Sequence, residues 1–131
     1  RHRSEGAAVT VLTTIPADPA GYGRVVKADD GAVAKIVEEK DASPEEKKIR
    51  EINTGIYCIE SRFLFPAAAR LGNRNAQGEY YLTDIVEIAC REGFTVRSHI
   101  APDYVEVMGI NTPEELARAG QHLQNNRKNS V

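Results

Sequence analysis

Four short segments place polar groups where structure alone does not require them. Gly21-Tyr22-Gly23-Arg24 leads straight into a strand-like run, and Ile36-Val37-Glu38-Glu39-Lys40 ends another in three charges. Ile52-Asn53-Thr54-Gly55 sets an amide and a hydroxyl at the head of an apolar run. Gly109-Ile110-Asn111-Thr112-Pro113 puts Asn just before a helix start. All four are ends of elements, where α/β sheets gather their ligand-binding groups. Taken singly, each also reads as a turn or a cap, because Asn at a strand end is ordinary turn chemistry. Other chemistries find little support. His2, His99 and His122 stand isolated and read as surface or packing residues. No Ser or Cys sits in a nucleophile signature. Gly21-Tyr22-Gly23 is too short for a phosphate-cradling loop.

The elements that must position these groups follow from pattern. Residues 8–14, β-branched and apolar apart from Thr, predict a buried strand close to the start of the chain, as in part of a larger domain. Two prolines and two glycines make residues 16–23 a loop. Residues 24–27 and 32–37 predict short strands, with Asp29-Asp30-Gly31 as the hairpin turn. Ser43-Pro44-Glu45-Glu46 predicts a capped helix start within the charged stretch 41–50. Residues 52–60 predict a strand, and Ser61 a cap for a helix that Gly72 ends in the left-handed conformation. Residues 73–80 read as a polar loop, and 83–92 as a helix stopped by Gly93. Residues 95–100 and 104–107 predict strands, and Thr112-Pro113-Glu114-Glu115 opens a last helix to about Leu123. Strands and helices mix without strict alternation, which predicts part of a mixed α/β sheet with flanking helices.

A length of 131 residues suits one domain. An apolar fraction of 41% and a charged fraction of 27% fit a globular chain with its own core. The net charge of −2 comes without a basic block, so neither nucleic acid nor an anionic membrane is an expected partner. Apolar runs fall far short of the ~20 residues a spanning helix needs. Cys58 and Cys90 each sit in an apolar pattern and are expected to be buried free thiols, as suits a reducing cytoplasm.

In their order, several segments resemble one family. They are Asp18-Pro-Ala-Gly-Tyr-Gly-Arg24, Ile36-Val-Glu-Glu-Lys-Asp-Ala42, Glu51-Ile-Asn-Thr-Gly-Ile56, Asn75-Ala-Gln-Gly-Glu-Tyr-Tyr-Leu-Thr-Asp-Ile85 and Glu106-Val-Met-Gly-Ile-Asn111. The family is the bacterial bifunctional N-acetylglucosamine-1-phosphate uridylyltransferases/glucosamine-1-phosphate acetyltransferases. The likeness runs from residue 8 to about 119, and its most specific part is residues 75–85. It is a likeness to the C-terminal half of the uridylyltransferase domain. The fold it implies is a partial nucleotide-diphospho-sugar transferase domain, Rossmann-like, over residues 1–124, followed by a polar tail at 125–131.

The resemblance implies a reaction in which UTP and N-acetylglucosamine 1-phosphate give UDP-N-acetylglucosamine and pyrophosphate. That is a bacterial, cytoplasmic step in making a peptidoglycan precursor for the cell wall. By the same resemblance, Gly23 offers its backbone to the sugar nucleotide, Glu38 accepts hydrogen bonds from sugar hydroxyls, and Asn53 bonds the sugar through its amide. Asn111 contacts the sugar nucleotide and lends an oxygen to Mg²⁺. Thr54, Tyr81 and Thr83 line the sugar pocket. The nucleotide loop and the metal-binding aspartate of that family match nothing in this chain. The isolated chain is therefore expected to hold UDP-N-acetylglucosamine or a sugar 1-phosphate without turning over, with Mg²⁺ needed only alongside the missing half. It is also expected to self-associate through an exposed sheet edge. Two alternatives remain open: another sugar-1-phosphate nucleotidyltransferase, and a non-catalytic UDP-sugar-binding or complementing module.

Overall fold

The computed structural model describes residues 1–110 and 112–128, except for the side chains of 126–128. Five strands form one mixed sheet: β1 (Val9–Thr14), β2 (Arg24–Lys27), β3 (Val33–Val37), β4 (Ile52–Ile59) and β5 (Val96–Ile100). Their spatial order is β3-β2-β4-β1-β5. β1 lies antiparallel to β4 and parallel to β5, while β2 is antiparallel to both β3 and β4. The helices are α1 (Ser61–Ala68), α2 (Asp84–Arg91) and α3 (Pro113–Lys128). The expected mixed α/β sheet is what the chain forms.

Alternation along the strands decides what α1 and α2 cover. Val9 and Val11 of β1, Val25 of β2, Ile36 of β3 and Val96 of β5 join Phe63 and Ala67 of α1 and Ile85, Val86, Ile88 and Ala89 of α2 in one core. Each fully buried Val or Ile there contributes roughly 1.5–3 kcal/mol. Phe63 and Phe94 meet with ring centroids 4.9 Å apart and tie α1 to the turn after α2. That turn is made by Gly93 at φ 75°, the helix stop the sequence predicts. Gly31, at φ 82°, makes the predicted turn between β2 and β3.

Several expectations need correction. The helix predicted after Ser43 shortens to a 3₁₀ turn, Glu46–Lys48. Its capping box does form: Glu46 N–H donates to Ser43 Oγ at 3.2 Å, and Ser43 N–H to Glu46 Oε2 at 2.8 Å. The charged residues that follow bury no face, so the nucleus is not propagated. Ser61 is not a cap. The residue before α1 is Glu60, in extended backbone, and no side chain caps this helix. α1 ends at Ala68 rather than at Gly72, and Gly72 is not among the glycines with positive φ. The stretch predicted as strand 104–107 is a 3₁₀ turn, Tyr104–Glu106, because Asp103 accepts the Val105 N–H at 2.8 Å and bends the chain. α3 opens on the predicted cap, with Glu115 N–H donating to Thr112 Oγ1 at 3.2 Å, but runs past Leu123 to Lys128. Cys90 is a half-buried free thiol, whereas Cys58 is exposed. The register pairs Cys58 with Thr10, so it points away from the face that Val9, Val11 and Tyr57 give to the core.

Candidate functional site

The β2–β3 hairpin brings Gly23 against Glu38. A Cβ on Gly23 would stand 3.2 Å from Glu38 Oε2, 3.3 Å from Oε1 and 3.2 Å from Ile36 Cγ2. A Cβ there would press on the carboxylate and shift it by a few tenths of an ångström, whereas glycine leaves it lying against the backbone. Glu38 is fixed from behind, since its carbonyl accepts the N–H groups of Asp41 at 3.0 Å and Ala42 at 2.9 Å. Its Oε1 accepts the Thr83 hydroxyl at 3.0 Å. Thr83 is the residue before α2, where a hydroxyl commonly caps the helix. Here the side chain makes no capping bond and serves Glu38 instead.

β4 supplies the neighbouring side chain. Asn53 N–H donates to the Gly23 carbonyl at 2.9 Å, which sets Asn53 beside the Gly23–Glu38 contact. Asn53 Oδ1 accepts the Gly55 N–H at 3.0 Å and the Tyr57 hydroxyl at 2.9 Å. Tyr81 accepts from Gln77 Nε2 at 2.8 Å, and it shares with Glu38 a cleft of about 320 Å³ bordered by Asp41, Asn75 and Asp84. The loop 75–81 is pinned to the turn after β3 by Lys40 Nζ to Gln77 Oε1 at 2.6 Å and by Ala76 N–H to Asp41 Oδ1 at 2.7 Å. Burial, with Glu87 and Asp41 adding negative charge, raises the pKa of Asp84 in this cleft.

Gly23, Glu38, Asn53 and Thr83 thus form one cluster, with Tyr81 at its margin. Thr54 does not join it, because its hydroxyl donates to the Leu12 carbonyl at 2.7 Å. Asn111, predicted as a metal and sugar contact, lies outside the described residues. Among the described residues, no three His, Cys, Asp or Glu side chains converge to hold a metal ion. The three histidines lie elsewhere: His2 on Thr10, His99 near Glu5 and His122 near Asp103.

A carboxylate just past β3, an amide near the head of β4 and bare glycine backbone just before β2 thus meet, and such groups can accept and donate hydrogen bonds. A model of the nucleotidyl transferase family matches residues 1–125. The chain belongs to this family. As a nucleotidyl transferase it is similar to bifunctional protein GlmU of Geobacter metallireducens, at 57% identity over 120 residues, covering 92% of this chain and 25% of that protein. GlmU of Pelotomaculum thermopropionicum is 58% identical over 123 residues, covering 94% of this chain and 27% of the relative. GlmU of Desulfotalea psychrophila is 45% identical over 131 residues, covering 100% and 39%. The chain therefore spans about a quarter to two-fifths of the length of these relatives. A Bacillus anthracis protein described as a glucose-1-phosphate thymidylyltransferase, solved with sucrose, shares the fold at TM-score 0.63 and 24% identity, over 89% of this chain and 44% of its own.

Two features of this nucleotidyl transferase escape a sequence reading by motif. Tyr57 reads as an ordinary strand residue, yet it bonds Asn53 four positions back, because the bulge at Gly55 brings the two together. Tyr22 and Tyr104 join hydroxyl to hydroxyl at 2.8 Å and clasp the loop before Gly23 to the 3₁₀ turn before α3. Burial, and then the bond to Tyr104, push the Tyr22 pKa up to about 12. Nothing in the spacing of these two tyrosines signals their contact. Among the described residues, no helix is long and apolar enough to cross a membrane.

Proposed function

We propose that this chain is the sugar-binding portion of a uridylyltransferase domain that makes UDP-N-acetylglucosamine from UTP and N-acetylglucosamine 1-phosphate. The observation that carries the reading is the cluster of Gly23, Glu38, Asn53 and Thr83, within a segment 57% identical to a GlmU. In this reading Glu38 accepts from sugar hydroxyls, and its negative charge makes those bonds about twice as strong as neutral ones. Gly23 lets the sugar ring approach the backbone, and Asn53 contributes its amide. These groups bind and orient. Holding the sugar phosphate still as it attacks the α-phosphorus of UTP is the larger part of such a catalyst's work. Mg²⁺, held with the help of Asn111 and of oxygen ligands outside this chain, would offset charge on the phosphates when bound.

Among the described residues none forms a triphosphate cradle, so the isolated chain is expected to bind without catalysing. We place the step in the bacterial cytoplasm, in the supply of an activated sugar for the cell wall. The test pairs two measurements on the purified chain. UDP-N-acetylglucosamine should raise the thermal unfolding midpoint more than UDP-glucose does. UTP with N-acetylglucosamine 1-phosphate and Mg²⁺ should release no pyrophosphate. Equal shifts would favour a transferase for another sugar, and robust turnover would remove the claim that a second portion is needed.

A further inference from the structure

We propose that Tyr57 is a positioning residue that locks the Asn53 carboxamide with its NH₂ outward, so that Asn53 offers the sugar nucleotide hydrogen-bond donors only. This rests on the reading of the cluster as a sugar pocket and adds the direction of one hydrogen bond. The lock begins in the backbone. β1 and β4 lose register where Val11 faces Tyr57 but Thr13 faces Asn53, so two steps on β1 answer four on β4. Gly55 absorbs the surplus at φ 79°, a conformation L side chains resist.

The bulge turns both the Gly55 N–H, at 3.0 Å, and the Tyr57 hydroxyl, at 2.9 Å, onto one atom of Asn53. A backbone N–H can only donate, so the atom it meets must be the amide oxygen. That oxygen has two lone pairs, and both are engaged. The phenol is then obliged to donate. Burial, reinforced by the Glu38 carboxylate, raises its pKa, so it keeps its proton at physiological pH. The nitrogen of Asn53 faces the other way and meets no acceptor among the described residues. The backbone of Asn53 is held too, by its bond to the Gly23 carbonyl.

The pocket therefore has a polarity. Asn53 gives protons and Glu38 takes them. A ligand must set an acceptor oxygen at Asn53 and a hydroxyl or amide N–H at Glu38. Without Tyr57 the amide could turn and blur that distinction.

The experiment uses the full chain, ¹⁵N-labelled and titrated with UDP-N-acetylglucosamine. In Tyr57→Phe the Asn53 side-chain NH₂ signals should shift more than those of any other side-chain amide, and affinity should fall about fivefold, the equivalent of one neutral hydrogen bond. Asn53→Asp keeps both acceptor bonds but has no donor, so its affinity should fall more than about tenfold. Wild-type affinity in Asn53→Asp, or unmoved NH₂ signals in Tyr57→Phe, would overturn the proposal. Should a variant fail to fold, the wild-type chain decides. A strong nuclear Overhauser contact between the Gly55 amide proton and an Asn53 NH₂ proton contradicts the assigned orientation, and its absence beside a visible Gly55 signal supports it. If the wild-type chain binds no UDP-sugar, the sugar-pocket reading fails, and the NH₂ signals still decide whether Tyr57 sets the amide.

Discussion

Glu38 and Glu39 are neighbours in sequence with opposite surroundings. Glu38 turns toward the α2 side of the sheet, where it meets the Thr83 hydroxyl and the bare backbone of Gly23. Glu39 turns the other way, where Arg24 Nη2 meets it at 2.7 Å and Lys47 Nζ stands at 3.7 Å. Gly23 and Arg24 divide in the same manner, one under each carboxylate. Arg24 is only 2% exposed, and it also donates to the Tyr22 carbonyl. A carboxylate neutralised by a buried guanidinium is structural, because its charge is answered within the fold. On the proposed reading, a carboxylate that meets a neutral hydroxyl and, among the described residues, no cation leaves its charge for a ligand. On the proposed reading, two like residues just past the end of β3 thus become a brace and a binding group.

The largest effect should come from breaking the brace. Arg24→Ala removes a buried cation and the packing of its stem, and should cost about 2–4 kcal/mol in urea unfolding. Because Glu39 keeps 30% of its side chain exposed, the lower part of that range is expected. Arg24→Ala with Glu39→Ala should cost less than the sum of the two single changes. Next comes the binding group. Glu38→Gln should weaken UDP-N-acetylglucosamine by about tenfold or more and leave the unfolding midpoint nearly unchanged, as calorimetry and urea unfolding would show. If Glu38→Gln destabilises the chain as much as Arg24→Ala does, the division between brace and binding group fails.

Gly23→Ala should have a smaller effect. Its backbone is not in the left-handed region, so any loss reports the new Cβ against the carboxylate at 3.2 Å. A several-fold weaker titration with little change in stability is expected.

The smallest effect is a pH dependence on the brace side. The hydrogen bond from Lys35, then those with Ser43, lower the Glu46 pKa to about 2 from its ordinary value of 4.5. A depressed folded-state value contributes stability above pH 4.5, and that contribution is lost as pH falls toward 2. Glu46→Gln should therefore flatten the thermal midpoint between those values and leave sugar-nucleotide binding at neutral pH untouched.

Much of the fold was legible in the residues. Local chemistry that closes within three or four positions read correctly: the Asp29-Asp30-Gly31 turn, the Ser43–Glu46 box, and the Thr112 cap. Signals whose outcome depends on burial elsewhere did not. The charged stretch after Ser43 had a helix start but no face to bury, and α1 stopped before Gly72. Cys58 looked buried because its neighbours are apolar, yet the register with Thr10 exposes it. In the candidate site, Gly23, Glu38, Asn53 and Thr83 converged, while Thr54 went to the Leu12 carbonyl because its hydroxyl reaches β1 across the bulge. Tyr57 was missed because a bulge at Gly55, invisible to a period of two, folds it back onto Asn53.

The most direct test is calorimetric titration of the chain with N-acetylglucosamine 1-phosphate, UDP-N-acetylglucosamine and UDP, each against wild type and Glu38→Gln. If this chain holds the sugar end, both sugar ligands should bind and weaken together in Glu38→Gln, and UDP should bind weakly and indifferently to the substitution. Binding of UDP as tight as that of UDP-N-acetylglucosamine, or sugar binding unchanged in Glu38→Gln, would contradict the account.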